Sequence, residues 1–325
     1  MLCSANKLKG FPAFCLAVLL SLSAHAQVDD EIFGPDKGTD YLLRRALAVT
    51  PEMEVQRIDI ELNPSMEIAR ISAMAGDAQG NVYLFQRNTD YDPVIVLDPE
   101  GNVLRSFGSG LFSYPHGIRL DPQGNVWAVD AMTSRIVKFS SRGEMLLDID
   151  LGDVPDISRI QRGAADVAFA PDGRIYVADG YANGRIVVLN AEGEQLFEWG
   201  SRGTRPGEFN LPHSLAISPD GTVYVADREN GRIQLFTAEG EYLREWQTHG
   251  RPVSIDFAPN GDLYLSAEPR SVSMRESVLV KIDPQDGRFL GKVAGFGHQL
   301  SVGGDGVLLP ASLSDQVSIY RIRQE

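Results

Sequence analysis

HSLAISPDGTVYVADRENGRIQLFTAEGEYLREWQ, residues 213–247, predicts four short β-strands in succession. An apolar alternating run leads into a Pro-Asp-Gly turn, a second run ends at Asp227, and two further runs are joined by Glu239-Gly240. Alternation with a period of two and turns that contain Asp-Gly are typical of antiparallel hairpins. The stretch therefore predicts one four-stranded sheet.

The same pattern recurs along the chain, and its turn glycine is a convenient anchor. Six anchors are separated by 44, 49, 48, 40 and 45 residues: Gly80, Gly124, Gly173, Gly221, Gly261 and Gly306. Repeats of this length made only of short strands predict a β-propeller with one four-stranded sheet per blade. The last repeat holds about three strands, whereas Glu54 to Leu62 alternates as an extra strand before the first repeat. We therefore predict an all-β, six-bladed β-propeller closed by an N-terminal strand that pairs beside Val317 to Ile322.

Residues 1–26 predict a signal peptide. Lys7 and Lys9 precede the apolar run from Phe11 to Leu22, and Ala24-His25-Ala26 matches a small-x-small cleavage site. The run is too short for a convincing membrane span. We expect a periplasmic or secreted protein, cut near Ala26 and free of the membrane after signal removal. A retained N-terminal anchor is the alternative.

The rest of the chain divides into two parts. Residues 27–50 are expected to form an N-terminal extension with a short helix at Tyr41 to Ala48, and residues 51–325 are expected to form the propeller. Both cysteines, Cys3 and Cys15, lie in the leader, which excludes disulfides, iron–sulfur clusters and a cysteine nucleophile from the mature chain. We expect a monomer.

The charge of the chain limits its partners. The formal net charge is −14, and removal of the leader with its two lysines makes it −16. An acidic surface argues against nucleic acid and anionic membranes as partners. No phosphate-binding loop, nucleotide-binding GxGxxG after a strand or GxSxG nucleophile motif stands out, so nucleotide-dependent and serine-hydrolase functions have little support.

The histidines follow the repeat. The position eight residues before each anchor glycine begins the innermost strand, and its occupants in chain order are Ser72, His116, Ala165, His213, Val253 and His298. Histidine thus occupies blades two, four and six, which lie about 120° apart in a six-fold ring. Three neutral imidazoles and an open position are typical of a catalytic zinc site, with manganese or iron as alternatives. For any one histidine, a satisfied buried side chain is the ordinary interpretation.

Three further side chains are predicted to lie at the mouth where the histidines meet. A hairpin returns to the end where it began, so residues just after the second strands open on the same face: Arg87, Tyr181 and Arg228. Each has a plain alternative role, such as an ion pair of Arg228 with Glu229 or stacking of Tyr181 over its blade.

Other residues of the same repeats have no predicted role in catalysis. Arg185 and Arg232 occupy matching places after Asn-Gly, which indicates a role in the repeat itself. His249 lies in a loop and is expected to be solvated.

Four segments resemble a known enzyme family. PHGIRLD (115–121), DGYANGRIV (179–187), PHSLAIS (212–218) and VADRENGRIQ (225–234) are similar to the lyase domain of peptidylglycine α-amidating enzymes, peptidyl-α-hydroxyglycine lyase. The likeness runs from about residue 70 to 322. That family is a six-bladed propeller related to NHL repeats.

The resemblance implies a reaction and a role for each candidate. It makes His116, His213 and His298 the zinc ligands. It makes Tyr181 the catalytic phenol, and Arg87 and Arg228 the active-site arginines. The implied reaction splits a carbinolamide, a peptide that ends in α-hydroxyglycine, into a peptide amide and glyoxylate. The expected partner is therefore a peptide or small-molecule substrate.

The chain also departs from the family's pattern. The family's Pro-His-Asp in the last blade is here Gly297-His298-Gln299, so the aspartate associated with a structural calcium is missing. Ala182 and Leu235 replace disulfide cysteines of the animal enzymes. Two other functions stay open: a lactone or ester hydrolase that uses zinc-bound hydroxide on the same scaffold, and a non-catalytic propeller that binds a peptide or glycan.

Overall fold

The computed structural model describes residues 40–62, 68–88, 90–155, 161–270, 277–294, 297–304 and 306–322. The predicted signal peptide, residues 1–26, and the extension up to residue 39 lie outside the described residues. None of the helices within these ranges is long and apolar enough to cross a membrane.

The described strands form six four-stranded antiparallel sheets, one for each predicted blade. Blade one contains β2 (Ile71–Gly76), β3 (Val82–Gln86), β4 (Val94–Leu97) and β5 (Val103–Phe107). Blade two contains β6 (Pro115–Leu120), β7 (Val126–Asp130), β8 (Arg135–Phe139) and β9 (Met145–Asp150). Blade three contains β10 (Asp166–Phe169), β11 (Ile175–Asp179), β12 (Arg185–Leu189) and β13 (Gln195–Trp199).

The remaining three blades repeat this order. Blade four contains β14 (Pro212–Ile217), β15 (Val223–Asp227), β16 (Arg232–Phe236) and β17 (Tyr242–Gln247). Blade five contains β18 (Arg251–Phe257), β19 (Leu263–Glu268), β20 (Val278–Ile282) and β21 (Phe289–Ala294). Blade six contains β22 (Gln299–Val302), β23 (Leu308–Ala311), β24 (Val317–Ile322) and β1 (Val55–Ile60).

The two ends of the propeller meet in blade six. Strand β1 pairs antiparallel with β24, so that Val55 faces Ile322 and Ile60 faces Val317. The outer strand of this blade therefore comes from the start of the propeller and its other three strands from the end. Both the six-bladed all-β fold and its closure by an N-terminal strand are confirmed.

The turns and the packing explain why each repeat folds as a blade. All six anchor glycines have positive φ, between 77° and 90°, which the turn needs and which glycine adopts without a steric penalty. Buried apolar side chains then fill the space between neighbouring sheets. Between blades one and two, for example, Phe85, Phe112 and Phe139 lie in one cluster with Tyr83. Adjacent blades thus share a core.

A short helix, α1 (Tyr41–Val49), precedes the propeller at the place the sequence indicated. Leu43 is buried, Leu47 accepts a hydrogen bond from the Lys292 ammonium at 2.7 Å, and Asp40 accepts one from the backbone N–H of Arg270. These contacts hold the helix against blade five.

Candidate metal centre

Three buried histidines meet at one mouth of the central channel. His116, His213 and His298 are 2%, 0% and 5% exposed, and each offers a ring nitrogen within 4.8 Å of those of the other two. The ring centroids of His116 and His213 are 5.0 Å apart, and those of His213 and His298 are 5.1 Å apart. The alternating-blade pattern therefore corresponds to one compact cluster.

Local backbone irregularities direct two of these side chains. The register of β6 against β7 shifts between Pro115 and Gly117, and that of β14 against β15 shifts between Pro212 and Ser214. His116 and His213 are thus the extra residues of β-bulges, which change the direction of a side chain and are common beside active sites. His298 lies directly before β22.

Glycine permits close contact between blades at this mouth. A Cβ atom at Gly117 would lie 2.6 Å from the Ala165 carbonyl oxygen, and one at Gly180 would lie 1.9 Å from the Pro212 carbonyl oxygen. Only glycine fits at such separations. The Ala165 carbonyl accepts the hydrogen bond from His116. The close contact between Gly117 and this carbonyl therefore helps to position the His116 side chain.

The Nδ1 atom of each histidine is bound to an acceptor. The distances are 2.8 Å from His116 to the Ala165 carbonyl, 2.7 Å from His213 to the Val253 carbonyl and 2.7 Å from His298 to Glu268. Carbonyl and carboxylate oxygens only accept, so each Nδ1 carries the proton and each Nε2 presents a lone pair. Such partners fix the orientation of metal-binding histidines.

The electrostatic surroundings keep the imidazoles neutral. Burial, with a contribution from the nearby arginine charges, lowers the pKa of His116 and His213 well below the usual value of 6.5. Burial also lowers the pKa of His298, although its hydrogen bond with Glu268 opposes that effect. All three are therefore neutral at pH 7, the state in which imidazole binds a metal ion.

Tyr181 lies in contact with two of the ligand nitrogens. Its hydroxyl is 2.8 Å from His116 Nε2 and 3.0 Å from His213 Nε2, and the residue is 9% exposed. Both nitrogens are acceptors, and one phenolic proton can satisfy only one of them. The cluster thus has more lone pairs than protons, an arrangement that favours a cation.

The donor set fits zinc. Three histidines bound to one zinc at about 2.0–2.1 Å would have their nitrogens roughly 3.3–3.6 Å apart, and the ring nitrogens here all lie within 4.8 Å of one another. A tetrahedral site would keep a fourth position open beside Tyr181. His116, His213 and His298 would hold the ion.

Both predicted arginines lie at the same mouth. Arg228 is 3.6 Å from Glu268 and 3.3 Å from Glu229, and its buried Nε has no hydrogen-bond partner among the described residues. Arg87 stacks over the Tyr114 ring at 4.5 Å and donates to the Pro115 carbonyl at 3.4 Å. Burial lowers the pKa of Arg87. The ion pair of Arg228 with Glu229 exists, yet the guanidinium also reaches the histidine cluster through Glu268.

Glu268 is a candidate that the sequence analysis missed. It is 2% exposed; burial would raise its pKa, but the hydrogen bond from His298 and the charge of Arg228 outweigh burial and lower it. Glu268 lies seven residues after its anchor glycine, the same offset as Arg87 and Arg228 in their blades. That shared offset is the signal that could have found it.

The other residues singled out in the repeats have structural positions. Arg185 and Arg232 bind the aspartates at the ends of their neighbouring strands, each at 2.8 Å, as a role in the repeat predicts. His249 is exposed. Ala182 and Leu235 are both buried, and Leu235 belongs to the apolar cluster between blades four and five.

A calcium ion has a poor donor set here. Gln299 places a neutral, buried amide where the resemblance calls for a carboxylate, and its oxygen and nitrogen have no partner among the described residues. Calcium prefers carboxylate oxygens.

The fold and the site define a six-bladed β-propeller with a three-histidine centre at one channel mouth. The family model of the NHL repeat matches residues 112–139, 162–189 and 209–236. A solved streptogramin B lyase has the same fold, with a TM-score of 0.57 at 14% identity over 83% of this chain and 98% of that one.

Curated relatives are more similar in sequence. Peptidyl-glycine alpha-amidating monooxygenase A of Xenopus laevis is 34% identical over 235 residues, which are 62% of this chain and 25% of that protein. The probable peptidyl-alpha-hydroxyglycine alpha-amidating lyase pgal-1 of Caenorhabditis elegans is 31% identical over 195 residues, 52% of this chain and 55% of that protein. The match thus spans a quarter to about half of these relatives' length. The chain is a six-bladed propeller that contains NHL repeats and is similar in sequence to the peptidyl-α-hydroxyglycine α-amidating lyases, so the resemblance noted in its sequence is confirmed.

Proposed function

We propose that the chain is a zinc-dependent lyase that splits a peptide ending in α-hydroxyglycine into a peptide amide and glyoxylate. The relatives named as amidating lyases support lyase chemistry on a peptide or small-molecule substrate. The observation that carries the proposal is the cluster of three histidine ring nitrogens within 4.8 Å of one another, with the Tyr181 hydroxyl bound to two of them, those of His116 and His213. From the leader sequence we further propose a periplasmic or secreted location.

The proposed reaction needs a base, an anion site and a Lewis acid. A zinc ion held by the three histidines would supply Lewis acidity, which lowers the pKa of an adjacent hydroxyl group. Tyr181 Oη is placed to take the proton from the substrate hydroxyl. A phenol has an ordinary pKa near 10, so it depends on nearby positive charge to act as a base at neutral pH.

The electrons and protons balance within the substrate and Tyr181. The step starts from Tyr181 as the phenolate: as the substrate hydroxyl proton passes to the phenolate oxygen, the O–H electron pair forms the aldehyde C=O bond of glyoxylate. The C–N bond breaks, its electron pair goes to the amide nitrogen, and that nitrogen takes a proton, which Tyr181 can return. No water is consumed, which distinguishes this lyase from a hydrolase.

The arginines suit the substrate carboxylate. A guanidinium binds a carboxylate in a bidentate manner, and water exclusion strengthens the contact. Arg228 keeps a buried Nε without a partner among the described residues, whereas Arg87 lies on an aromatic ring with its charge poorly solvated. Both are therefore placed to bind an anionic group beside the histidines.

The test is release of glyoxylate from a synthetic peptide that ends in α-hydroxyglycine. We expect catalysed release by the zinc-loaded protein and its loss in His213→Ala. The matched control is His249→Asn, because His249 is exposed and has φ of 61°, a conformation that asparagine tolerates. Hydrolysis of lactones or esters without glyoxylate release would favour the hydrolase, and turnover that survives His213→Ala would refute the metal mechanism.

A further inference from the structure

A buried guanidinium crosses the central channel beneath the histidines. Arg119 lies three residues after His116 on β6 and is 7% exposed. Its Nε and one terminal nitrogen bind the Asp166 carboxylate at 3.0 and 2.7 Å, and the other terminal nitrogen binds Asp256 at 2.8 Å. These carboxylates belong to the inner strands of blades three and five. Blades two and five face each other in a six-fold ring, so the pair with Asp256 spans the channel.

The network also reaches the strand that carries His213 and the strand that follows His298. Ser214, the residue after His213, donates to Asp166 at 2.6 Å. Asp256 accepts a hydrogen bond at 2.8 Å from the backbone N–H of Val302, on the strand that follows His298. The inner strands of blades two, four and six are thereby joined through one guanidinium.

The same network supports the partner of His116. Asp166 directly follows Ala165, whose carbonyl binds His116 Nδ1. Movement of Asp166 would therefore displace both the acceptor of His116 and the contact with Ser214.

The other strongly buried arginine pair differs from this one. Arg232 is also buried and binds Asp227 and Glu245, but all three residues belong to blade four. Its side chain also donates to the carbonyls of Arg205 and Glu208 in the loop before blade four, and among the described residues it contacts no histidine-bearing strand of another blade. Arg119 joins blades, which makes the two arginines a matched pair for comparison.

Positive charge in the channel is thus provided by the chain itself. Asp166 and Asp256 are already paired with Arg119, and position 299 offers a neutral amide. A calcium ion in this layer would have to compete with a covalently attached guanidinium for both carboxylates.

We propose that Arg119 is the resident cation of the channel and a positioning residue for the metal centre, which sets the spacing of His116, His213 and His298 by binding Asp166 and Asp256. The proposal rests on one part of the proposed function, namely that the three histidines bind zinc. It predicts that loss of Arg119 weakens zinc binding by more than a general loss of stability would.

The experiment compares Arg119→Lys and Arg119→Met with the control Arg232→Met. Zinc affinity is measured on metal-stripped protein by competition with a chromogenic chelator, and folding is measured by circular dichroism. We expect zinc affinity to fall about tenfold or more in Arg119→Met, as is usual when groups that orient metal ligands are removed. A smaller fall is expected in Arg119→Lys, because an ammonium cannot bind two carboxylates in the geometry of a guanidinium. Arg232→Met should lose thermal stability while its zinc affinity stays within about twofold of the parent protein.

The outcomes separate this proposal from the proposed function. Unchanged zinc affinity in folded Arg119→Lys and Asp256→Asn would overturn it, even if Arg119→Met fails to fold. An equal fall in Arg232→Met would reduce Arg119 to a purely structural role and overturn it as well. A parent protein that binds no zinc would overturn the zinc site and this proposal together, whereas zinc binding without glyoxylate release would overturn the lyase reaction alone.

Calcium provides a second readout. If Arg119 is the resident cation, millimolar calcium chloride leaves the thermal unfolding midpoint of the parent protein unchanged. A rise of the midpoint with calcium, reversed by a calcium chelator, would overturn that assignment.

Discussion

Glu268 gives the sharpest prediction about the metal centre. Its carboxylate accepts the Nδ1 proton of His298 at 2.7 Å and lies 3.6 Å from Arg228, with 2% of the residue exposed. Glu268→Gln keeps the size of the side chain and leaves an oxygen that can accept the same hydrogen bond. The substitution therefore removes the charge and little else.

The size of the effect follows from the kind of hydrogen bond. Hydrogen bonds to charged groups contribute about 1.5–3 kcal/mol and those between neutral groups about 0.5–1.5 kcal/mol. Loss of the charge should thus weaken the hydrogen bond between His298 and residue 268 by about 1–1.5 kcal/mol. If this energy orients the ligand, its loss corresponds to roughly a tenfold rise in the zinc Kd. Direct measurements on partners of metal-binding histidines fall in the same range, about 10–100-fold.

The assay is zinc competition with a chromogenic chelator, and the control is Glu229→Gln. Glu229 lies 3.3 Å from the same arginine but, among the contacts of the described residues, touches none of the three histidines. We expect its zinc Kd to stay within about twofold of the parent value. Equal Kd values for Glu268→Gln and the parent protein would refute the view that this carboxylate orients the third ligand.

Two further predictions concern the phenol and the imidazoles. Tyr181→Phe should lower kcat by about 10²–10⁴-fold with zinc retained, as expected for loss of a general base, and an unchanged kcat would remove the phenol from the mechanism. Burial lowers the pKa of His213 in the folded state, so below pH 6.5 the unfolded chain binds more protons and the free energy of unfolding falls as the pH falls. Urea unfolding of the metal-free parent protein should therefore show a fall in the free energy of unfolding between pH 7.5 and 5.5. The fall in His213→Asn should be smaller by about 1 kcal/mol, and equal falls in the two proteins would contradict this interpretation.

The fold was predictable because each blade carries its own local signals. An Asp-Gly or Asn-Gly turn with positive φ at the glycine, as at Gly173 and Gly261, follows from residues beside it in the chain. The register of the histidines followed as well, because a repeated architecture places residues at equal offsets in equivalent positions. Even the closure of blade six followed from counting strands.

The missing parts of the site depend on contacts between distant residues. Glu268 is the last residue of β19, a strand of six residues where β15 has five, and its contact with the site is made through His298, 30 residues away in the chain. Arg119 binds partners 47 and 137 residues away, and nothing beside it in the sequence indicates either of them. The bulge that turns His213 toward the channel is likewise a property of the paired strands.

The metal content of the purified protein tests the central claim most directly. After loading with zinc and removal of the excess, elemental analysis of the parent protein should find about one zinc per chain, and His213→Ala should retain little or none. Absence of stoichiometric metal from the folded parent protein, or an equal zinc content in His213→Ala, would contradict a three-histidine metal centre and the lyase mechanism that depends on it.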